Sequence, residues 1–149
     1  MSQDIDIPPG VSLDKPSHAR IYDYLLGGYH NFEIDRSVTE QVLKVLPDAR
    51  LSAVATRAFL RRVVNFLMAQ GIDQLLDIGS GIPTVGNVHQ VAQAANPAAR
   101  VVYVDIDPIA VAHSLAILKN NPNATAIQCD VRQPDQILGH AEVRRLIDF

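Results

Sequence analysis

Apolar and polar positions follow two rhythms along this chain, and the change falls at Gly71. Before it the rhythm is helical. Ile21, Tyr22, Leu25 and Leu26 share one side of a helix that Ser17 can cap and that Gly27 and Gly28 end, because glycine accepts the left-handed conformation at a helix C-terminus. Ser37–Glu40 reads Ser-Val-Thr-Glu, the form of a capping box, and predicts a short helix that opens there and ends near Pro47. Leu51, Val54, Ala55, Ala58, Phe59, Val63, Phe66 and Leu67 then recur at helical spacing and predict a longer helix closed by Gly71.

After Gly71, short apolar runs alternate with helical ones. Gln74–Ile78 is a strand followed by a glycine-rich turn. A helix starting at Thr84 or nearby carries Val85, Val88, Ala92 and Ala95 and breaks at Asn96 and Pro97. Arg100–Asp105 is rich in β-branched and aromatic residues, as a buried strand should be. Asp107 and Pro108 look like an N-cap with proline at the first helical position, opening a helix to about Asn120. A third strand runs from Ala124 to Cys129, ending at Asp130, and Gln133–Phe149 is mostly helical, with Val143, Leu146 and Ile147 apolar. Strand and helix in alternation give a parallel sheet, and right-handed crossovers set its order as 3-2-1. The fold class expected is therefore α/β: a partial, Rossmann-like parallel sheet of three strands with an N-terminal helical cap. The expected organisation is a disordered tail over residues 1–15, which holds Pro8, Pro9 and Gly10, then the cap over 16–70 and the sheet unit over 71–149.

Composition narrows the function classes. With 48% hydrophobic and 19% charged residues the 149-residue chain is ordinary globular material, large enough for one real core. Its net charge of −3 lacks the basic excess of a nucleic-acid binder. Arg57, Arg61 and Arg62 cluster, but on a helix they read as a solvated face. Cys129 is the single cysteine, which excludes an internal disulfide and a multi-cysteine zinc site. His18, His30, His89, His113 and His140 show no ligand spacing, so no metal is expected. The N-terminus has neither the basic nor the apolar region of a signal peptide, and no apolar run has membrane length. A soluble cytoplasmic protein is the expectation.

The chemistry concentrates where strands end. Ligands of open parallel sheets bind at the carboxyl ends of the strands. Gly79 and Gly81 follow the first strand, where glycines let the backbone turn tightly and approach a ligand, with Ser80 between them. Asp77 stands just before them. Dinucleotide sites aim bare amides at a pyrophosphate there, and a carboxylate opposes that anion. The third glycine of the dinucleotide pattern is also replaced, by Thr84. S-adenosylmethionine has no phosphate but has an ammonium and a sulfonium, which suit a carboxylate. Asp105 ends the second strand, where it can accept from two vicinal ribose hydroxyls, and Ile106 can pack on an adenine face. Asp130 and Val131 end the third strand, where a side-chain acceptor and a backbone N–H suit the adenine edge. Tyr22, Tyr24 and Asn31 are candidates to line the pocket from above, with core packing an equal reading for Tyr22.

Asp77-x-Gly79-x-Gly81, Asp105 and Asp130 match the motifs of class I methyltransferases in order and spacing. More narrowly, the chain resembles a bacterial S-adenosylmethionine-dependent methyltransferase family formerly filed as a domain of unknown function. The resemblance rests on the segment from Ala19 to Gly28, on Asn31-Phe32 and Asp35-Arg36, on Asp77 to Thr84, and on Val102 to Pro108. Pro83 departs from the superfamily's glycine but agrees with the narrower family. The resemblance covers nearly everything from Pro16 to Phe149. It implies a methyltransferase with S-adenosylmethionine as cofactor; a small-molecule methyl acceptor is expected, and the charge and hydropathy of the chain lead to no expectation of a nucleic-acid or membrane partner. It also implies a seven-stranded sheet, of which this chain supplies the front half and stops before the fourth strand. The expected further partner is a complementary C-terminal half or a second copy along the first strand. No catalytic base is assigned. Two readings stay open: a nicotinamide-dependent oxidoreductase fragment, and a non-catalytic truncated domain that binds a nucleoside ligand or a partner chain.

Overall fold

The computed structural model describes residues 14–83 and 86–149. The expected tail therefore lies outside the described residues as far as residue 13, as do Thr84 and Val85. Three helices come first: α1 (His18–Leu25), α2 (Glu33–Val45) and α3 (Ala49–Ala69). Ser17 is the N-cap residue of α1, as expected, but its side chain does not cap. Its hydroxyl donates instead to the Asp107 carboxylate, far along the chain.

Helix α2 corrects the sequence reading. It opens at Glu33, not at Ser37. The carboxylate of Asp35 accepts the Phe32 N–H at 2.9 Å, and the Phe32 carbonyl accepts the N–H of Asp35 at 3.0 Å. That closes the first turn four residues earlier than the Ser37–Glu40 pattern suggests, and Ser37 sits inside the helix. Helix α3 ends at Ala69, with Gly71 just beyond at φ 79°, a left-handed conformation that suits glycine.

The sheet is parallel and built from β1 (Gln74–Ile78), β2 (Arg100–Asp105) and β3 (Ala124–Gln128), in the order β1-β2-β3. This is the expected 3-2-1 arrangement, and the third strand stops one residue short of Cys129. Between β1 and β2 runs α4 (Val88–Ala95), which begins after Asn87 rather than at Thr84. Asn87 is its cap, and its N–H donates to the Gln90 side chain at 2.9 Å. Between β2 and β3 lies α5 (Pro108–Leu118). Here the expected cap is found: Asp107 Oδ1 accepts the Ile109 N–H at 2.8 Å, with proline first in the helix. After β3 come α6 (Pro134–Gly139) and α7 (Ala141–Leu146).

Successive β2 side chains point to opposite faces, so the strand feeds two cores. Val101 and Tyr103 pack with Val64 of α3, Val88 and Ala92 of α4, and Val111 and Leu118 of α5. Val102 and Val104 pack on the other face with Ile127, Ile137, Val143 and Leu146. A third small cluster, Ile82 with Ile109 and Ala110, is joined by Ala19 and Phe32 and fixes the helical cap over the turn after β1.

Candidate cofactor site

A cavity of about 770 Å³ opens between the cap and the carboxyl ends of β1 and β2. That volume is within the range of small-molecule sites, roughly 300–1,000 Å³. Its floor is Asp77, Gly79, Ser80 and Gly81 from β1 and the turn, with Asp105 and Ile106 from β2. Its roof is the start of α1, including Tyr22, and Arg57 and Leu60 of α3.

The turn has a definite hydrogen-bonding pattern. Gly79 and Gly81 take φ of 75° and 68°, left-handed values that a side chain resists. The N–H groups of Gly79 and Ser80 both donate to the Val104 carbonyl, at 2.8 and 3.2 Å. The Gly81 N–H donates to Asp105 Oδ2 at 2.7 Å, while Asp105 Oδ1 accepts the Asp107 N–H at 2.8 Å. All three successive amides are therefore used within the protein. An ionised carboxylate has about four acceptor positions, so Asp105 keeps capacity for two further donors from the cavity.

Burial raises the Asp77 carboxyl above its ordinary range; the Arg57 charge opposes this and the Asp105 charge adds to it. The roof is held by a buried ion pair. Arg20 Nε bonds Asp35 Oδ2 at 2.7 Å, and the other Asp35 oxygen accepts the Ser17 N–H at 2.9 Å. Arg20 Nη1 also lies 3.9 Å from Asp107 at the start of α5. These contacts tie α1, α2 and the start of α5 together around one side of the cavity.

The remaining expected residues divide. Asp130 and Val131 line a separate cleft of about 190 Å³, whose walls also include Gly79, Asp105 and Ile106, so the two spaces share a border. Asp130 is bound by Arg132, whose Nε lies 2.9 Å from Oδ2, and this contact lowers the carboxyl to about 2. Tyr22 lines the large cavity and its hydroxyl donates to the Ala53 carbonyl at 3.2 Å. Tyr24 and Asn31, expected as candidates to line the pocket, are not among the residues that line this cavity. The Tyr24 hydroxyl pairs with Glu40, and its ring carries the Arg50 guanidinium. Asn31 is buried, with its amide donating to Asp23 and to the Gly28 carbonyl. Arg57 is a correction in the other direction, since it faces the cavity rather than solvent. Arg20 and Asp35 went unread as a pair because their contact depends on how two helices pack.

A parallel sheet whose first two strands end in acids around a glycine turn defines a Rossmann-like α/β domain. The chain belongs to the S-adenosyl methyltransferase family, whose model matches residues 6–149. The family resemblance read from the motifs is thereby borne out. The chain is similar in structure to a proposed methyltransferase from Thermobifida fusca YX, with 51% identity and a TM-score of 0.93 over 97% of this chain and 55% of that one. It is also similar to a DUF574 family protein from Streptomyces avermitilis MA-4680, with 37% identity and a TM-score of 0.85 over 89% of this chain and 52% of that one. The chain thus spans little more than half the length of these two proteins. No curated protein matches it. Among the described residues, no helix is long and apolar enough to cross a membrane.

Proposed function

We propose that this chain binds S-adenosylmethionine in the large cavity, as the cofactor-holding part of an enzyme that methylates a small-molecule acceptor. One observation carries the choice of cofactor. The amides of Gly79, Ser80 and Gly81 are all consumed by Val104 and Asp105, so these three glycine-turn positions offer no bare N–H to a pyrophosphate. What it offers instead are the carboxylates of Asp77 and Asp105. These fit a cationic, phosphate-free nucleoside and disfavour a nicotinamide dinucleotide.

In this reading Asp77 accepts from the ammonium, Asp105 accepts from the ribose hydroxyls, and Ile106 covers one adenine face. Asp130 and Val131 border the adenine edge from the smaller cleft. When bound, S-adenosylmethionine supplies an electrophilic methyl group on its sulfonium. The protein's share is to orient and to hold charge in place. We also read the unpaired edge of β1 as the partner surface, for a complementary strand segment or a second copy. The lone cysteine suits a reducing cytoplasm.

Calorimetric titration with S-adenosylmethionine, S-adenosylhomocysteine and NAD tests the proposal. The two adenosyl compounds should bind and NAD should not; tighter NAD binding overturns the reading. Asp105→Ala should weaken S-adenosylhomocysteine by about 1.5–3 kcal/mol, the scale of hydrogen bonds to a charged group. A folded variant of unchanged affinity would remove Asp105 from the ribose site.

A further inference from the structure

Arg57 is the feature of the cavity that the contacts within the chain leave unexplained. Its Nε is buried and has no hydrogen-bond partner among the described residues. Its guanidinium carbon lies 5.7 Å from the centre of the Tyr22 ring, within cation–π range. The same cavity is walled by Asp77, and the two charges sense each other. Yet no ion pair joins them among the described residues. Opposite charges that face one space without closing on each other leave room for a group that carries both signs.

The other cations of the roof are committed or exposed. Arg20 is engaged by Asp35 and by the Lys15 carbonyl, and Lys15 itself is exposed. Buried donors in folded proteins nearly always have a partner, so an orphan one on a cavity wall points to a ligand acceptor. A guanidinium presents a planar fork that matches a carboxylate.

We propose that Arg57 binds the carboxylate of an α-amino-acid group, opposite Asp77, and so reads the amino-acid end of the cofactor. This rests on the cavity being the S-adenosylmethionine site and adds a recognition residue to it. Arg57 is a binding residue in this account and takes no part in the transfer.

The test compares two probes that differ only at that end: S-adenosylhomocysteine, and 5′-methylthioadenosine, which lacks the amino acid. Arg57→Gln should weaken S-adenosylhomocysteine roughly tenfold or more while changing methylthioadenosine less than about twofold. Arg57→Lys should recover part of the loss, since it keeps the charge without the fork. Equal losses for both probes, or no loss for either, would overturn the assignment. The unaltered chain gives an independent reading: if it binds both probes equally, the amino-acid end is not recognised and Arg57 has no such role. If the folded chain binds neither, the cofactor reading itself fails, and this inference goes with it.

Discussion

The sheet has two outer strands, and they are finished differently. In β3, Ala124, Thr125, Ala126 and Ile127 are all buried, with α5 and α7 packed on the strand. In β1 the corresponding residues are only half-buried and Ile78 is 45% exposed, although Leu75, Leu76 and Ile78 have the apolar character of a doubly covered strand. The helix that leads into β1 repeats the contrast. Phe59 and Phe66 of α3 are 59% and 63% exposed, beside the buried Val64. Burial here follows cover rather than hydrophobicity. Natural sheet edges carry charge, proline or bulges against unwanted pairing, and β1 has only Asp77. Its open flank therefore has the composition of an interface. The last residues of the chain reach the beginnings of β1 and β2: the Asp148 N–H donates to the Gln74 side chain at 2.7 Å, and Arg100 pairs with Asp148 at 2.8 Å.

The sharpest way to test the covered side is Ile137→Ala. Ile137 is 2% exposed, in the cluster between β2, β3 and α7. Removing its side chain should cost about 2–5 kcal/mol, measured by denaturant unfolding. A loss below about 1 kcal/mol would mean that this flank collapses easily, and the contrast between the two edges would weaken.

How much of this was legible in the sequence follows from what each element depends on. The strands, their order and the Asp107 cap were readable because they rest on local composition and on chain handedness. The start of α2 was not. The Ser37–Glu40 pattern is a valid local signal, but Asp35, held by Arg20 and bonded to Phe32, closes the first turn earlier. Periodicity located α3 but not its inner face, because Ala53, Leu60 and Val64 on one side and Val54, Phe59 and Phe66 on another leave two faces apolar. The inward turn of Arg57 has no sequence signal beyond its neighbours Arg61 and Arg62, which suggest solvent. Asp77, Asp105 and the glycines were readable as a set because position at strand ends already brings them together. The positions of Tyr24 and Asn31 had no such signal, because their partners, Glu40 and Asp23, are fixed only by the packing of the cap.

A smaller effect separates interior from edge by pH. His89 is buried on α4, and Tyr103 bridges to it: the His89 N–H donates to the phenol oxygen at 2.8 Å, and the phenol lies 2.7 Å from Nδ1. Burial lowers the His89 pKa below its ordinary 6.5. His113 shifts the same way, through burial first and the nearby His30 second. The unfolded chain then takes up protons before the folded one as pH falls, so stability declines as pH drops below about 6.5 and levels off beneath the folded pKa. Thermal melts at pH 7.5 and 5.5 should show a lower midpoint at the acid value. His89→Gln should flatten that difference. An unchanged pH dependence in the variant would assign the effect elsewhere.

The smallest expected change in stability belongs to the exposed apolar face of α3, and it carries information about association. Phe66 is 63% exposed near the end of α3, where lysine suits both helix propensity and the negative end of the helix dipole. Substituting a surface residue away from packed contacts typically shifts stability within about 0.5 kcal/mol. Phe66→Lys should therefore leave the melt of the dilute chain nearly unchanged. What it should change is association. The chain exposes apolar α3 side chains as well as the outer edge of β1, and light scattering behind size exclusion should find it self-associating at high concentration. A charge at Phe66 removes exposed apolar area from α3 and should move the population toward monomer. If the unaltered chain is instead a non-aggregating monomer with a cooperative melt, the flank is closed in solution by the chain itself. Phe66→Lys would then cost well over 1 kcal/mol, because the ring it deletes would be part of a packed surface.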